Sequence, residues 1–94
     1  MRYKKINELT VQGSDGSSIQ IRHHDYLEYR SNEGVVQVTV GYEPTRMQIL
    51  VYASEANTRE TSSGTKDISV SDHQAIIDNL KEGLALLKGT FVVV

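Results

Sequence analysis

The sequence predicts an α+β fold: a largely antiparallel β-meander sheet of five or six strands, one C-terminal amphipathic helix packed on one face, and a final strand. Three observations point there. Residues 27–53 alternate apolar and polar side chains with a period of two, between turn signals. Residues 71–88 instead repeat apolar positions at helical spacing behind a capping residue. After Gly89 the chain runs on as the apolar stretch TFVVV. At 94 residues the length suits one small α+β domain, 1–94.

Taken in order, Leu9 and Val11 alternate with polar neighbours, and residues 13–18 (GSDGSS) read as a turn. Beyond it Ile19, Ile21, His23, Asp25, Leu27 and Tyr29 share one side of a period of two. An aspartate facing a core needs its own hydrogen-bond partners, so we expect two strands with a bend or bulge at 23–25 in preference to one long strand. Residues 31–34 (SNEG) make the next turn, and 35–42 is the strongest strand. Proline cannot take the positive φ of a type I′ hairpin, so 43–46 (EPTR) is expected to be a four-residue loop built on a type I turn. Residues 47–53 then return. These loop lengths predict a register: Tyr29 opposite Val36 and Leu27 opposite Val38, then Tyr42 opposite Met47, Val40 opposite Ile49, Val38 opposite Val51 and Val36 opposite Ala53. Both sets are apolar and face one way, so a one-residue slip would turn all of them into water. Tyr29 and Tyr42 are therefore expected in the core. The opposite face reads Tyr26, Glu28, Arg30, Val35, Gln37, Thr39, Gln48, Leu50 and Tyr52, the mixed composition of a sheet with one wet side.

Residues 55–66 (EANTRETSSGTK) read as a long polar loop, and 67–70 as a short extended approach to the helix. Ser71 is the expected N-cap, with Gln74 completing a capping box and Val70 stapled against Ala75. Ile76, Ile77, Leu80, Leu84 and Leu87 form one stripe. Gly83 within the helix costs about 1 kcal/mol relative to alanine, which marks a place of close packing. Lys88 and Gly89 suit the negative helix end and the left-handed residue beyond it. Residues 91–94 are too continuously apolar for an edge strand with a wet face, so they are expected to pair inside the sheet.

The chain has no cysteine, which excludes disulfides, thiolate metal sites and a cysteine nucleophile, and suits a reducing cytoplasm. The start, MRYKKINELTVQG, is basic without an apolar stretch behind it and is not a signal peptide. No apolar run approaches the roughly 20 residues of a membrane span, so no membrane association is expected. A formal charge of −2 argues against direct nucleic-acid binding. Residues 1–30 are nearly balanced, whereas 31–94 carry eight acidic and five basic side chains. That excess is either ordinary solvated surface or an acidic patch for a basic partner.

Catalytic chemistry finds little foothold. His23, His24 and Asp25 are the only cluster suggestive of metal or acid–base work, but adjacent strand residues point to opposite faces and His73 stands apart, short of the convergent set zinc needs. Serines 14, 17, 18, 62 and 63 lie in turn-like stretches that explain them. Residues 13–16 lack the following helix of a phosphate loop. No catalytic residue, cofactor or metal is expected. Tyr26 and Tyr52, with Leu50 beside Glu28 on the wet face, have the composition of a protein-binding surface, unless a terminal strand or the 54–66 segment covers them.

The stretch from ILVYASEANTRE through KDISVSDHQAIIDNLKEGLALLKGTFVVV resembles the small immunity proteins of bacterial polymorphic-toxin and contact-dependent growth inhibition systems. In that family a strand ending in a tyrosine-alanine-serine-like segment leads through a polar loop to a capped helix and a valine-rich last strand. Here these would be residues 51–54, 55–66, 71–88 and 91–94. The resemblance implies a cytoplasmic, non-enzymatic protein that binds the C-terminal toxin domain of an effector, commonly a nuclease, and occludes its active site. It implies contacts at Tyr26, Glu28 and Tyr52 on the wet face and at Glu43, Glu55, Arg59 and Glu60 on the loops. The alternative is a small non-catalytic scaffold or regulatory module that uses the same face for a different protein. A third class, a minimal enzyme or ligand-binding domain, would need a concave pocket at 23–25.

Overall fold

The computed structural model describes residues 3–23, 25–87 and 90–94. The architecture is α+β, a curled and mostly antiparallel sheet with one helix packed on it and a final strand. The strands are β1 (Tyr3–Asn7), β2 (Thr10–Gly13), β3 (Ser18–His23), β4 (Tyr26–Ser31), β5 (Gly34–Glu43), β6 (Gln48–Val51), β7 (Thr58–Thr61), β8 (Gly64–Asp67) and β9 (Thr90–Val93). The main order is β1-β2-β3-β4-β5-β6-β9, with the β7–β8 hairpin pairing onto β5. More strands form than the five or six expected, because β1 and the β7–β8 hairpin are polar and carry no apolar alternation to announce them.

The first hairpin has the expected register: Leu27 pairs with Val38 and Tyr29 with Val36. At 23–25 the chain does more than bend. It reverses, so that Ile19 pairs with Tyr29 and Ile21 with Leu27, with a bulge between Ile21 and His23. His24 lies outside the described residues.

The second hairpin keeps its four-residue loop but moves it one position along, to 44–47. Glu43 stays in the strand opposite Gln48. Its carboxylate accepts from the amides of Thr45 (3.1 Å) and Arg46 (2.8 Å), and Met47 takes the left-handed φ of 53°. The register therefore slips by two: Val40 faces Val51 and Tyr42 faces Ile49. Face assignments survive a slip of two, but Met47 is left 72% exposed and Tyr42 60% exposed beyond the helix cover. Neither is the core residue expected. Ala53 does not reach Val36; it enters a 3-10 turn, Ala53–Glu55, and is buried in the core with Ala56.

The segment 55–66 is thus no loop. Its middle pairs as β7–β8, with Glu60 opposite Val35 of β5 and Thr65 opposite Glu60. The residues SSG, read as part of a long polar loop, close that hairpin, with Gly64 at φ 113°.

The helix α1 spans Val70–Leu84. Its N-cap is Ser69, whose hydroxyl accepts from the amide of Asp72 at 3.2 Å. Ser71 is inside the first turn and Val70 is 89% exposed, so neither is the cap or the staple residue expected. Ile68, before the true cap, packs against the core instead. Ile76, Leu80, Leu84 and Leu87 are buried and Ile77 is partly so. They cover Val11, Ile19, Leu27, Val36, Val38 and Val51 of the inner sheet face. Gly83 explains its own presence. A Cβ there would lie 2.5 Å from Ile19 Cδ1, 3.1 Å from Val11 Cγ2 and 3.3 Å from Tyr3 Cδ1. Lys88 and Gly89, the expected helix stop, lie outside the described residues.

β9 pairs within the chain, parallel to β6. It forms the last strand of the sheet order, so its apolar sequence stands at an edge and not inside the sheet as expected. No helix among the described residues is long and apolar enough to cross a membrane.

Candidate protein-binding face

The outer sheet face is set by strand parity. Antiparallel and parallel pairing bring Gln20, Glu28 and Gln37 into one row across β3, β4 and β5. Tyr26 stands opposite Thr39. Further along, Gly41, Leu50 and Val92 form a row across β5, β6 and β9, followed by Glu43, Gln48 and Thr90. The helix covers the other face, so this one stays open to solvent, with Tyr26, Leu50, Tyr52 and Val92 half-buried on it.

Tyr52 is positioned by a missing side chain. A Cβ on Gly41 would meet Tyr52 Cε2 at 3.1 Å and its hydroxyl oxygen at 3.3 Å. The ring therefore lies across β5 at Gly41, with the Tyr52 amide tied to the Thr39 carbonyl at 2.9 Å. Glycine weakens a strand, and an aromatic ring laid over it restores packing there. Beside this patch Glu43, Thr45, Arg46, Gln48, Leu50 and Val92 line a shallow depression of about 550 Å³.

Charge on the face is organised around two carboxylates. Glu28, with a side chain 18% exposed, accepts from Arg30 at 3.1 Å and pairs with Arg22 at 3.5 Å. The expected acidic contact therefore sits in a cluster whose net charge is positive. Glu43 is different. The amide of Arg46 first, then that of Thr45, holds its carboxyl below the usual carboxylate range.

The remaining expected contacts divide. Glu60 shares the outer face with Val35 and Arg30, and its carboxylate accepts from Thr65 Oγ1 at 2.7 Å. Glu55 is exposed on the 3-10 turn. Arg59 faces the opposite way. Its side chain is 10% exposed and reaches Glu33 at 2.7 Å and Asp72 at 3.9 Å, tying β7 to the β4–β5 turn and to the first turn of the helix. Tyr26, Glu28, Glu43, Tyr52 and Glu60 thus share one surface, and Arg59 does not. Sequence reading missed Arg22, Gly41 and Val92 on this face. The alternation of Glu28 and Arg30 was a usable signal; the approach of β9, which brings Val92, was not local enough to leave one.

Elsewhere the polar clusters are spent on structure. Ser17 is buried, and its hydroxyl donates to Asp15 at 2.6 Å. The Tyr3 hydroxyl, 2.9 Å from Ser17 Oγ, must then be the donor of that contact. Burial pushes the Tyr3 phenol well up, and the Ser17 hydroxyl, then its amide, holds the Asp15 carboxyl down. His73 Nε2 lies 2.6 Å from the Ala53 carbonyl oxygen. A carbonyl only accepts, so Nε2 carries the proton. Among the described residues no group of histidines and carboxylates converges as a metal site. The chain matches no family model, and no curated protein and no solved structure is significantly similar to it.

Proposed function

We propose that the protein is a non-catalytic inhibitor of the immunity type, which binds a cognate toxin domain and occludes its active site with the outer sheet face. The observation that carries this reading is the patch of Tyr52 over Gly41 with Leu50 and Val92, a half-buried aromatic and aliphatic surface left open on the face opposite the helix. Aromatic side chains surrounded by a polar rim supply most of the affinity at protein interfaces. Glu43 and Glu60 on the same face add carboxylates suited to the basic cleft of a nuclease. On this reading the protein acts in the cytoplasm, where an incoming toxin domain is met.

The test is capture of the tagged protein from its own organism at low and high salt, followed by an activity assay on the captured polypeptide. A toxin domain recovered in near-equal amount, and silenced by one equivalent of this protein, is the expected result. Tyr52→Ala should weaken that complex at least about tenfold, the loss typical of a central aromatic. Alanine at Glu55 and Glu60 without loss of affinity would remove those residues from the contact. Failure to recover a partner whose activity it blocks would overturn occlusion.

A further inference from the structure

A sheet edge left open needs protection against pairing with another chain, commonly by charge, a bulge or brevity. Of the three open edges among the described residues, two have it. β1 carries the exposed Lys4 and Lys5 and a bulge between Lys5 and Asn7. β8, the same length as β9, carries the charged Lys66 and Asp67. β9 has no charge, no proline and no bulge in TFVV.

The hydrogen-bond parity of β9 fixes what its edge offers. Val94 donates to Val51 at 2.8 Å and accepts from Ser54 at 2.9 Å. In a parallel ladder alternate residues point the same way, so Val92 and Thr90 also face β6, while the amides and carbonyls of Phe91 and Val93 face outward. Beside this edge Lys81, Leu84 and Ala85 of the helix and Thr90, Phe91 and Val93 of β9 line a cleft of about 480 Å³.

We infer that β9 is the contact strand of a reversible homodimer, pairing antiparallel with β9 of a second copy about a two-fold axis at Val92. This arrangement is self-complementary. Phe91 of each copy falls opposite Val93 of the other, and these are the residues whose backbone groups face outward, so each pair exchanges both of its bonds. The two Val92 residues meet across the axis as a close, non-hydrogen-bonded pair, about 4.5 Å apart at Cα. The incoming Phe91 and Val93 side chains share the face of the cleft, where the Lys81 methylenes and the exposed Ala85 receive them. An edge of five residues is roughly 17 Å long, and the strip it buries falls short of the about 1,000 Å² expected of a stable interface. The dimer is therefore concentration-dependent. It draws Val92 of the outer face to the axis but leaves the β5 and β6 part of that face, with Tyr52 and Leu50, uncovered, and it does not rest on the inhibitor reading.

The test is sedimentation velocity of the full chain from 5 µM to about 1 mM, joined to amide exchange at both ends of that range. A sedimentation coefficient that rises with concentration is expected. The Phe91 and Val93 amides should become more protected as it rises, while those of Val92 and Val94 are protected throughout. Val92→Lys places like charges directly opposite at the axis, on a side chain that faces solvent in the monomer, and should raise the dissociation constant at least tenfold. A monomer at every concentration overturns the proposal. So does a dimer in which Phe91 and Val93 exchange no more slowly than in the monomer, a readout that needs no variant to fold.

Discussion

Gly83→Ala sets two known effects against each other at one atom. Alanine in place of a mid-helix glycine favours the helix by about 1 kcal/mol. The added Cβ, however, would sit 2.5 Å from Ile19 Cδ1, with Val11 Cγ2 and Tyr3 Cδ1 closing the other sides at 3.1 and 3.3 Å. The Ile19 terminus must shift, and because Ile19 and Val11 are fully buried that shift displaces other core atoms. Overpacking of this kind costs about 1–3 kcal/mol. The net expectation is a loss of about 1 kcal/mol, seen as a fall in Tm of roughly 4–8 °C for a domain of this size. Ile19→Val removes the clashing methyl and alone should cost about 0.5–1.5 kcal/mol. Combined, the two changes move one carbon across the helix–sheet contact at constant volume, so the double variant should exceed the additive sum by about 1 kcal/mol or more. Urea unfolding followed by circular dichroism on all four proteins gives the cycle. A stabilised Gly83→Ala, or additivity within about 0.5 kcal/mol, would refute close packing as the reason for this glycine.

Ser69→Ala should cost about 1 kcal/mol through loss of the cap to Asp72, and Ser71→Ala close to nothing; urea midpoints distinguish them, and equal losses would contradict the assigned cap. Arg59→Ala removes a largely buried stem and its ties to Glu33 and Asp72; because Glu33 is 63% exposed its pair is discounted, and the expected loss is about 1 kcal/mol, mostly packing, with faster amide exchange over 58–67. Tyr3 has its phenol raised in the fold, so the folded form binds the proton more tightly, and stability present below the unfolded value of about 10 should fall as pH rises beyond it. Tyr3→Phe should lose about 1 kcal/mol at neutral pH but flatten that alkaline fall, read from unfolding midpoints between pH 8 and about 11. Asp15 has the opposite sign: its lowered carboxyl contributes above the ordinary aspartate range and is lost in acid, and its solvent-facing position keeps that limb shallow.

What was legible in the sequence depended on parity and what was missed depended on register and caps. Leu27, Tyr29, Val36 and Val38 have one way to face a core together, and they take it. The second hairpin shows the limit. Its slip of two residues preserves every face, so periodicity cannot detect it. The choice was made by Glu43, whose carboxylate serves two turn amides only if Glu43 remains in the strand. The helix start was misread for a similar reason, since Ser69 and Ser71 both precede an acceptable third residue, and the burial of Ile68 decides between them. Most of the outer face was legible because Tyr26, Glu28, Leu50 and Tyr52 alternate with core residues. Arg59 was not, because an exposed loop and a short strand read alike when every residue is polar.

The helix has a consequence for the open face on the sheet's far side. β1 and β9, at the two ends of the main strand order, do not pair with each other, so hydrogen bonds alone do not hold the curl of the sheet. The helix packs on β1, β2, β3 and β9 and so bridges that gap. Its first turn is fixed by the Ser69 cap, by His73 donating to Ala53 and by Asp72 near Arg59. Near its other end, Gly83 allows close approach to Ile19, and Asn79 donates to the Tyr29 hydroxyl at 2.8 Å. A partner that needs Tyr26, Tyr52, Leu50 and Val92 on one curved surface depends on that bridge, because Val92 belongs to β9 and Tyr26 to β4. Gly83→Ala should therefore change side-chain contacts of Val92 and Tyr52 as well as stability. Methyl and aromatic chemical shifts would detect this: unchanged Val92 and Tyr52 signals in a destabilised variant would mean that the outer face keeps its shape without the helix.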